Sequence, residues 1–149
     1  MTPQRSVTIV MVEDDEGHAR LIEKNIRRAG VNNEIRHFTD GTSALQFLLR
    51  APDGPAGGLP VLVLLDLNLP DMSGIDILSR MKGEAGLRRA PVVVLTTTDD
   101  RVEIQRCYDL GANVYITKPV NYESFAQAIR QLGLFLSVIQ LPDPGDEPA

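Results

Sequence analysis

Three stretches of the chain are apolar or β-branched almost without a break: Val7–Val12 (VTIVMV), Val61–Leu65 (VLVLL) and Pro91–Thr96 (PVVVLT). Runs of this length without polar alternation predict strands buried on both faces of a sheet. Two shorter segments, one marked by Ile35 and Phe38 and the other Val114–Thr117 (VYIT), predict a second and a fifth strand. Between strands the period changes. Ala19, Leu21, Ile22, Ile26 and Ala29 fall at helical spacing over His18–Ala29, and Gly30 stops the helix. Asp40-Gly41-Thr42 opens a second helix with Ala44, Leu45, Leu48 and Leu49 on its apolar face. Ile75, Ile77, Leu78 and Met81 give a third, weakened at its end by Gly83 and Gly86. Asp99 or Asp100 caps a fourth over Arg101–Leu110, closed by Gly111, and Tyr122–Ile139 is the last. Ala51–Pro60 (APDGPAGGLP) is too rich in Pro and Gly to continue either neighbour and reads as a loop.

A strand followed by a helix, repeated five times, predicts an α/β fold with a doubly wound parallel sheet and right-handed crossovers. A flavodoxin-like (βα)5 order of 2-1-3-4-5 places the reversal of winding between strands one and three. The chain of 149 residues is expected to form one domain over residues 1–141. Residues 142–149 are Pro- and acid-rich and expected to be a flexible tail, with no output domain after it.

Composition narrows the function. A net charge of −5 gives no support to a nucleic-acid-binding surface. The single cysteine, Cys107, excludes an internal disulfide and suits a reducing cytosol. The N-terminal stretch has no signal-peptide pattern, and no apolar run approaches the roughly 20 residues of a membrane helix. The expectation is a cytoplasmic protein that binds neither nucleic acid nor membrane.

The chemistry gathers where the strands end. In a parallel sheet all C-terminal strand ends share one edge, where ligands of open α/β sheets bind. Strand one delivers Glu13 and Asp14 there, strand three Asp66, strand four Thr96 and strand five Lys118. Each has a plain structural reading. The acids 13–16 can serve a helix N-terminus, with Asp15 as its cap; Thr96 can be a β-former and Lys118 a solvated lysine. Together they suggest more. Clustered carboxylates repel unless a cation intervenes, and oxygen-only ligands suit a hard ion such as Mg2+. An aspartate beside such an ion, with a lysine and a hydroxyl to hold phosphate oxygens, suits phosphoryl transfer. His18 and His37 have no partner cysteines or spaced acids in sequence, which disfavours a histidine metal site.

VEDD at 12–15, LLDLNLPDMSG at 64–74, VVVLTTT at 92–98 and YITKP at 115–119 resemble the receiver domain of two-component response regulators. The resemblance runs to about Ile139. It implies that Asp66 is the phosphoacceptor, charged by a sensor histidine kinase. Asp14 and Asp66 would be direct Mg2+ ligands, Glu13 would act through water, and the Asn68 backbone carbonyl would complete the protein ligands. Thr96 is implied as the switch hydroxyl, Lys118 as the phosphate-pairing lysine and Tyr115 as the aromatic that turns inward on activation. Lys118-Pro119 is similar to the family's usual cis peptide, and Asn68 and Thr98 occupy positions that tune phosphate lifetime. Two residues depart from the commonest pattern: Glu13 where aspartate is more frequent, and Thr97 where a smaller residue is.

VEDDEGHARLIEKNIRRAG, LTTTDD and CYDLGANVYITKPV are similar to the stand-alone regulators paired with bacterial and cyanobacterial phytochromes, which implies a phytochrome-type kinase as partner. In the last helix Tyr122, Phe125, Ile129, Leu132, Leu136 and Ile139 belong to one apolar stripe, while Leu134, Val138 and Leu141 fall outside it. An apolar surface on more than one face implies burial on more than one face. A homodimer through this C-terminal segment is therefore expected, as the resemblance also implies.

Two other functions compete. A haloacid-dehalogenase-like phosphatase also uses an aspartyl phosphate but needs a second acid two residues on, where this chain has Asn68, which cannot transfer a proton. A flavin-mononucleotide carrier needs a Ser/Thr/Gly-rich loop after strand one, where this chain places four acids that repel phosphate.

Overall fold

The structure, a computed structural model, describes residues 7–49, 60–118, 121–124 and 126–127. In chain order the elements are β1 (Thr8–Val12), α1 (Glu16–Arg28), β2 (Ile35–Phe38), α2 (Gly41–Leu48), β3 (Val61–Leu65), α3 (Gly74–Gly83), β4 (Val92–Thr96), α4 (Arg101–Asp109) and β5 (Val114–Thr117). The strands form one parallel sheet, as the alternating pattern predicts, in the flavodoxin-like order β2-β1-β3-β4-β5.

Side-chain alternation along each central strand sorts the core into two layers. Val10 and Val12, Val63 and Leu65, and Val92 and Val94 pack with Leu48 of α2, Ile77 and Leu78 of α3, and Cys107 of α4. Ile9 and Met11, Leu62 and Leu64, and Val93 and Leu95 face the other way, onto Ala19, Ile22 and Ile26 of α1. Every residue of β1, β3 and β4 is buried, which is why these strands read as unbroken apolar runs.

Helix boundaries follow local chemistry. Asp15, Asp40, Ser73 and Asp100 cap α1 to α4, each side chain accepting from a backbone N–H of the first turn. Gly30 and Gly111, the expected stops of α1 and α4, take φ of 87° and 105°. A left-handed residue there lets Val31 N–H reach the Ile26 carbonyl and Ala112 N–H the Cys107 carbonyl, closing the helix ends. Two expectations change. α1 begins at Glu16 rather than His18, because its cap is Asp15. Leu21 is exposed, and Asn25 is buried in its place, since Asn25 follows Ile22 by three residues and shares its stripe.

The 51–59 part of the loop, the Lys118-Pro119 peptide bond and most of the last helix with its dimer stripe and tail lie outside the described residues. Among the described residues no helix is long and apolar enough to cross a membrane.

Candidate functional site

The sheet ladder continues one residue past the strands and sets the site. Glu13 N–H donates to the Phe38 carbonyl at 2.9 Å, Asp66 N–H to the Val12 carbonyl at 3.0 Å, and Lys118 N–H to the Thr96 carbonyl at 2.8 Å. The main chain of three site residues is thus held by neighbouring strands before any side chain acts. Glu13, Asp14 and Asp66 each present a carboxylate oxygen, all within 4.8 Å of one another. Glu13 and Asp66 are buried, whereas Asp14 is exposed.

The acidic run 13–16 divides by role. Asp15 accepts from His18 N–H at 3.0 Å as the α1 cap. That bond holds its carboxyl below the usual carboxylate range. Glu16 lies in the first turn, where the helix dipole favours an acid. Asp15 and Glu16 thus serve the helix N-terminus, while Glu13 and Asp14 come together with Asp66.

Lys118 enters the pocket from the end of β5 with its side chain only 5% exposed. Its ammonium hydrogen-bonds Glu13 Oε1, and Asp66 Oδ2 at 3.1 Å. Its third neighbour is His18 Nδ1 at 3.0 Å, so three donors meet three acceptors. With Nδ1 accepting, the ring proton of a neutral His18 sits on Nε2. Burial pushes the Glu13 carboxyl up, against the opposing hydrogen bonds from Lys118 and from Asp15 N–H. One ammonium against three carboxylates leaves an excess of two negative charges when all are ionised. An oxygen-only donor set with that excess fits a hard divalent cation.

Above the pocket, Asp66 Oδ1 accepts from Asn68 N–H at 3.0 Å, turning the chain at once after the strand. Asn68 Nδ2 reaches Thr96 Oγ1 at 3.3 Å, so the residue standing where a phosphatase needs an acid is an amide donor to the threonine. Thr96 is fully buried, and its Oγ1 also accepts from Thr98 N–H at 3.4 Å. Tyr115 donates its hydroxyl to the Thr98 carbonyl at 2.6 Å, and its ring packs against the core layer that holds Val94 and Cys107. Burial, with Cys107 and nearby acids reinforcing it, pushes the Tyr115 hydroxyl up to about 12. Asn68, Thr96, Thr98 and Tyr115 thus form one chain of contacts. Gly74 is required for a different reason: a Cβ there would lie 2.3 Å from the Asp66 carbonyl oxygen.

The sequence-predicted residues Glu13, Asp14, Asp66, Asn68, Thr96, Thr98, Tyr115 and Lys118 are brought together; Pro119 lies outside the described residues. Sequence reasoning weighed the two histidines only as metal ligands and missed their contacts at the site. His18 meets Lys118, and His37 Nε2 donates to the Glu13 carbonyl at 2.7 Å. Their partners are 100 and 24 residues away, and no local spacing signals them.

A family model described as the response regulator receiver domain matches residues 9–130. Among curated proteins, "Probable methanogenesis regulatory protein FilR2" of Methanothrix harundinacea is 38% identical over 124 residues, spanning 83% of this chain and 79% of that protein. Response regulator Rcp1 of Synechocystis is 33% identical over 135 residues, spanning 90% of this chain and 92% of Rcp1. The structure also superimposes on Mn2+-bound Rcp1 with a TM-score of 0.71, at 30% identity, covering 95% of this chain and 100% of that one. A receiver domain from Rhodospirillum rubrum gives a TM-score of 0.73 at 70% identity, covering 91% and 97% of the two chains. The phosphorylated cyanobacterial phytochrome response regulator RcpA gives 0.71 at 34% identity, covering 93% and 99%. With the family pattern spanning most of its length and a matching parallel fold, this chain belongs to the response regulator receiver domain family.

Proposed function

We propose that Asp66 is the phosphoacceptor of this receiver domain, taking its phosphoryl group from a sensor histidine kinase in the presence of Mg2+. The observation that carries this reading is the pocket itself: Glu13, Asp14 and Asp66 converge within 4.8 Å, with the Lys118 ammonium between Glu13 and Asp66. An Asp66 carboxylate oxygen attacks phosphorus, and the phosphorus–nitrogen bond of the kinase phosphohistidine breaks with its electron pair left on the imidazole. The product is an aspartyl acyl phosphate.

Asp14, Asp66 and the Asn68 backbone carbonyl would hold Mg2+ directly, with Glu13 acting through water. The bound ion supplies charge neutralisation at the phosphoryl oxygens. Lys118 pairs with one phosphoryl oxygen and the Thr96 hydroxyl with another. Drawing Thr96 toward the phosphate loosens its contacts with Asn68 and Thr98, and Tyr115 repositions in response. Output is then a population shift read by protein partners or by onward phosphotransfer, in the cytoplasm. Any catalysis by the protein itself is limited to slow loss of its own phosphate, at a rate tuned by Asn68 and Thr98.

Incubation with acetyl phosphate and Mg2+ tests the assignment. Intact-mass and peptide mapping are expected to find phosphate on Asp66, absent in Asp66→Asn and after chelation. Stable incorporation at another residue overturns it.

The kinase is proposed to be of phytochrome type, supported by the likeness to RcpA and by the motifs VEDDEGHARLIEKNIRRAG and CYDLGANVYITKPV. Phosphotransfer from a panel of sensor kinases tests this, and preference for another class refutes it. A homodimer through the C-terminal segment is proposed from the apolar residues Leu134, Val138 and Leu141; a monomeric mass in light scattering at micromolar concentration refutes it.

A further inference from the structure

We propose that Asp71 is a positioning residue for the metal pocket, clamping the loop that follows Asp66 onto the N-terminus of α2 so that the Asn68 carbonyl is held in place. This rests on the pocket reading above. Asp71 Oδ1 accepts from Gly41 N–H at 2.8 Å; Oδ2 accepts from Thr42 N–H at 2.8 Å and from the Thr42 hydroxyl. The contacts bridge about thirty residues of sequence, between the loop after β3 and the first turn of α2.

α2 does not need Asp71 as its cap. Asp40 already fills that place, accepting from Ser43 N–H at 2.7 Å. α3 does not use it either, because Ser73 is its cap. The carboxylate of Asp71 therefore joins two elements that are each separately terminated. Met72 repeats the attachment by packing. A Cβ on Gly41 would fall 2.5 Å from Met72 Cγ and 2.6 Å from Sδ, so the loop lies directly on the bare backbone of α2. The hydrogen bonds from Thr42 and Gly41 hold the exposed Asp71 carboxyl down to about 2, so it accepts as an anion across the neutral range.

The inner end of the loop is tied to the phosphoacceptor. Asn68 N–H donates to Asp66 Oδ1 at 3.0 Å, Asn68 bridges to Ser73, and Gly74 N–H donates to the Leu67 carbonyl at 2.9 Å. The loop that carries Asn68 is thus tied to Asp66 at its inner end and, through Asp71, to α2 at its outer end. Releasing the outer tie leaves the loop held mainly at its inner end, and a ligand on a less restrained loop costs more ordering when the cation binds.

The test measures the Mn2+ dissociation constant by calorimetry on unphosphorylated full-length protein, with the thermal midpoint recorded beside it, for Asp71→Ala, Asp71→Asn, Thr42→Val and Asp14→Ala. Asp71→Ala is expected to weaken Mn2+ by about ten-fold, in line with supporting groups around metal ligands. Thr42→Val, which removes one donor of three, is expected to fall between Asp71→Ala and the unaltered protein. At saturating Mg2+ the phosphorylation rate of Asp71→Ala should return close to the parent's, so that metal affinity changes and the chemical step does not. A purely structural role would move the thermal midpoint and leave the dissociation constant alone. Mn2+ affinity within two-fold of the parent in a folded Asp71→Ala overturns the clamp. If that variant does not fold, Asp71→Asn and Thr42→Val decide on the same criterion. Asp14→Ala separates the two readings: unchanged affinity there overturns the pocket itself, whereas loss there with none in the Asp71 variants overturns the clamp alone.

Discussion

The Lys118 ammonium lies 3.1 Å from Asp66 Oδ2 across 52 residues of sequence, with both side chains almost wholly buried. It also hydrogen-bonds Glu13, so one lysine is shared between two buried acids. Removing one partner of a buried ion pair leaves an uncompensated charge, which costs more than the pair itself contributes.

Lys118→Met is therefore expected to destabilise the metal-free protein by about 3 kcal/mol. A divalent cation should restore most of that loss, because it supplies the positive charge the two carboxylates lack. Urea unfolding with chelator and with Mg2+ checks this. Equal losses in both conditions would show that Lys118 acts through packing rather than charge.

Gly74→Ala tests the rigidity of the strand end. The new Cβ would stand 2.3 Å from the Asp66 carbonyl oxygen and 2.8 Å from Leu67 Cα, both backbone atoms of the turn after β3. The backbone must shift, at a cost of about 1–3 kcal/mol, as for other overpacked sites. Because the shift falls on Asp66, phosphorylation by acetyl phosphate should slow even at saturating Mg2+. An unchanged rate would mean the turn yields away from Asp66.

Thr96→Val replaces a buried hydroxyl by a methyl of similar shape. The hydroxyl accepts only long bonds, at 3.3 Å from Asn68 and 3.4 Å from Thr98, so the stability change should stay within about 1 kcal/mol. Asp66 should still take up phosphate. What should disappear is the response of Tyr115, followed by NMR of fluorotyrosine-labelled protein, since the hydroxyl is the proposed link. A full Tyr115 response in Thr96→Val would break that link.

Tyr115→Phe keeps the ring in its layer and removes the 2.6 Å bond to the Thr98 carbonyl, a loss of about 1 kcal/mol near neutral pH. It also changes the alkaline behaviour. The folded Tyr115 hydroxyl titrates near 12, above its ordinary 10, so the unfolded chain ionises first. The contribution of Tyr115 is whole below pH 10 and is lost as pH rises from there toward 12. The stability difference between parent and Tyr115→Phe, from urea midpoints at pH 8 to 11, should shrink as pH rises. A difference independent of pH would contradict it.

How much was legible in advance depended on the range of the interaction. Strand and helix types, the parallel sheet, the Asp15 cap and, to within one residue, the cap of α4 (Asp99 or Asp100) could be read because burial on two faces and first-turn capping leave local signatures. Leu21 and Asn25 show the limit even within one helix. Their hydrophobicity pointed the wrong way, and only the packing of α1 on the sheet decided which was buried.

The chain by itself determined that Glu13, Asp14, Asp66, Thr96 and Lys118 would meet at one edge, because every strand of a parallel sheet ends on the same side. Tertiary structure alone decided the rest: that His18 joins Lys118, that His37 donates to the Glu13 carbonyl, and that Asp71 ties its loop to α2. Strand direction is written in local pattern. A hydrogen bond between residues 30 or 100 positions apart depends on where two loops come to rest, and no periodicity of the chain encodes that.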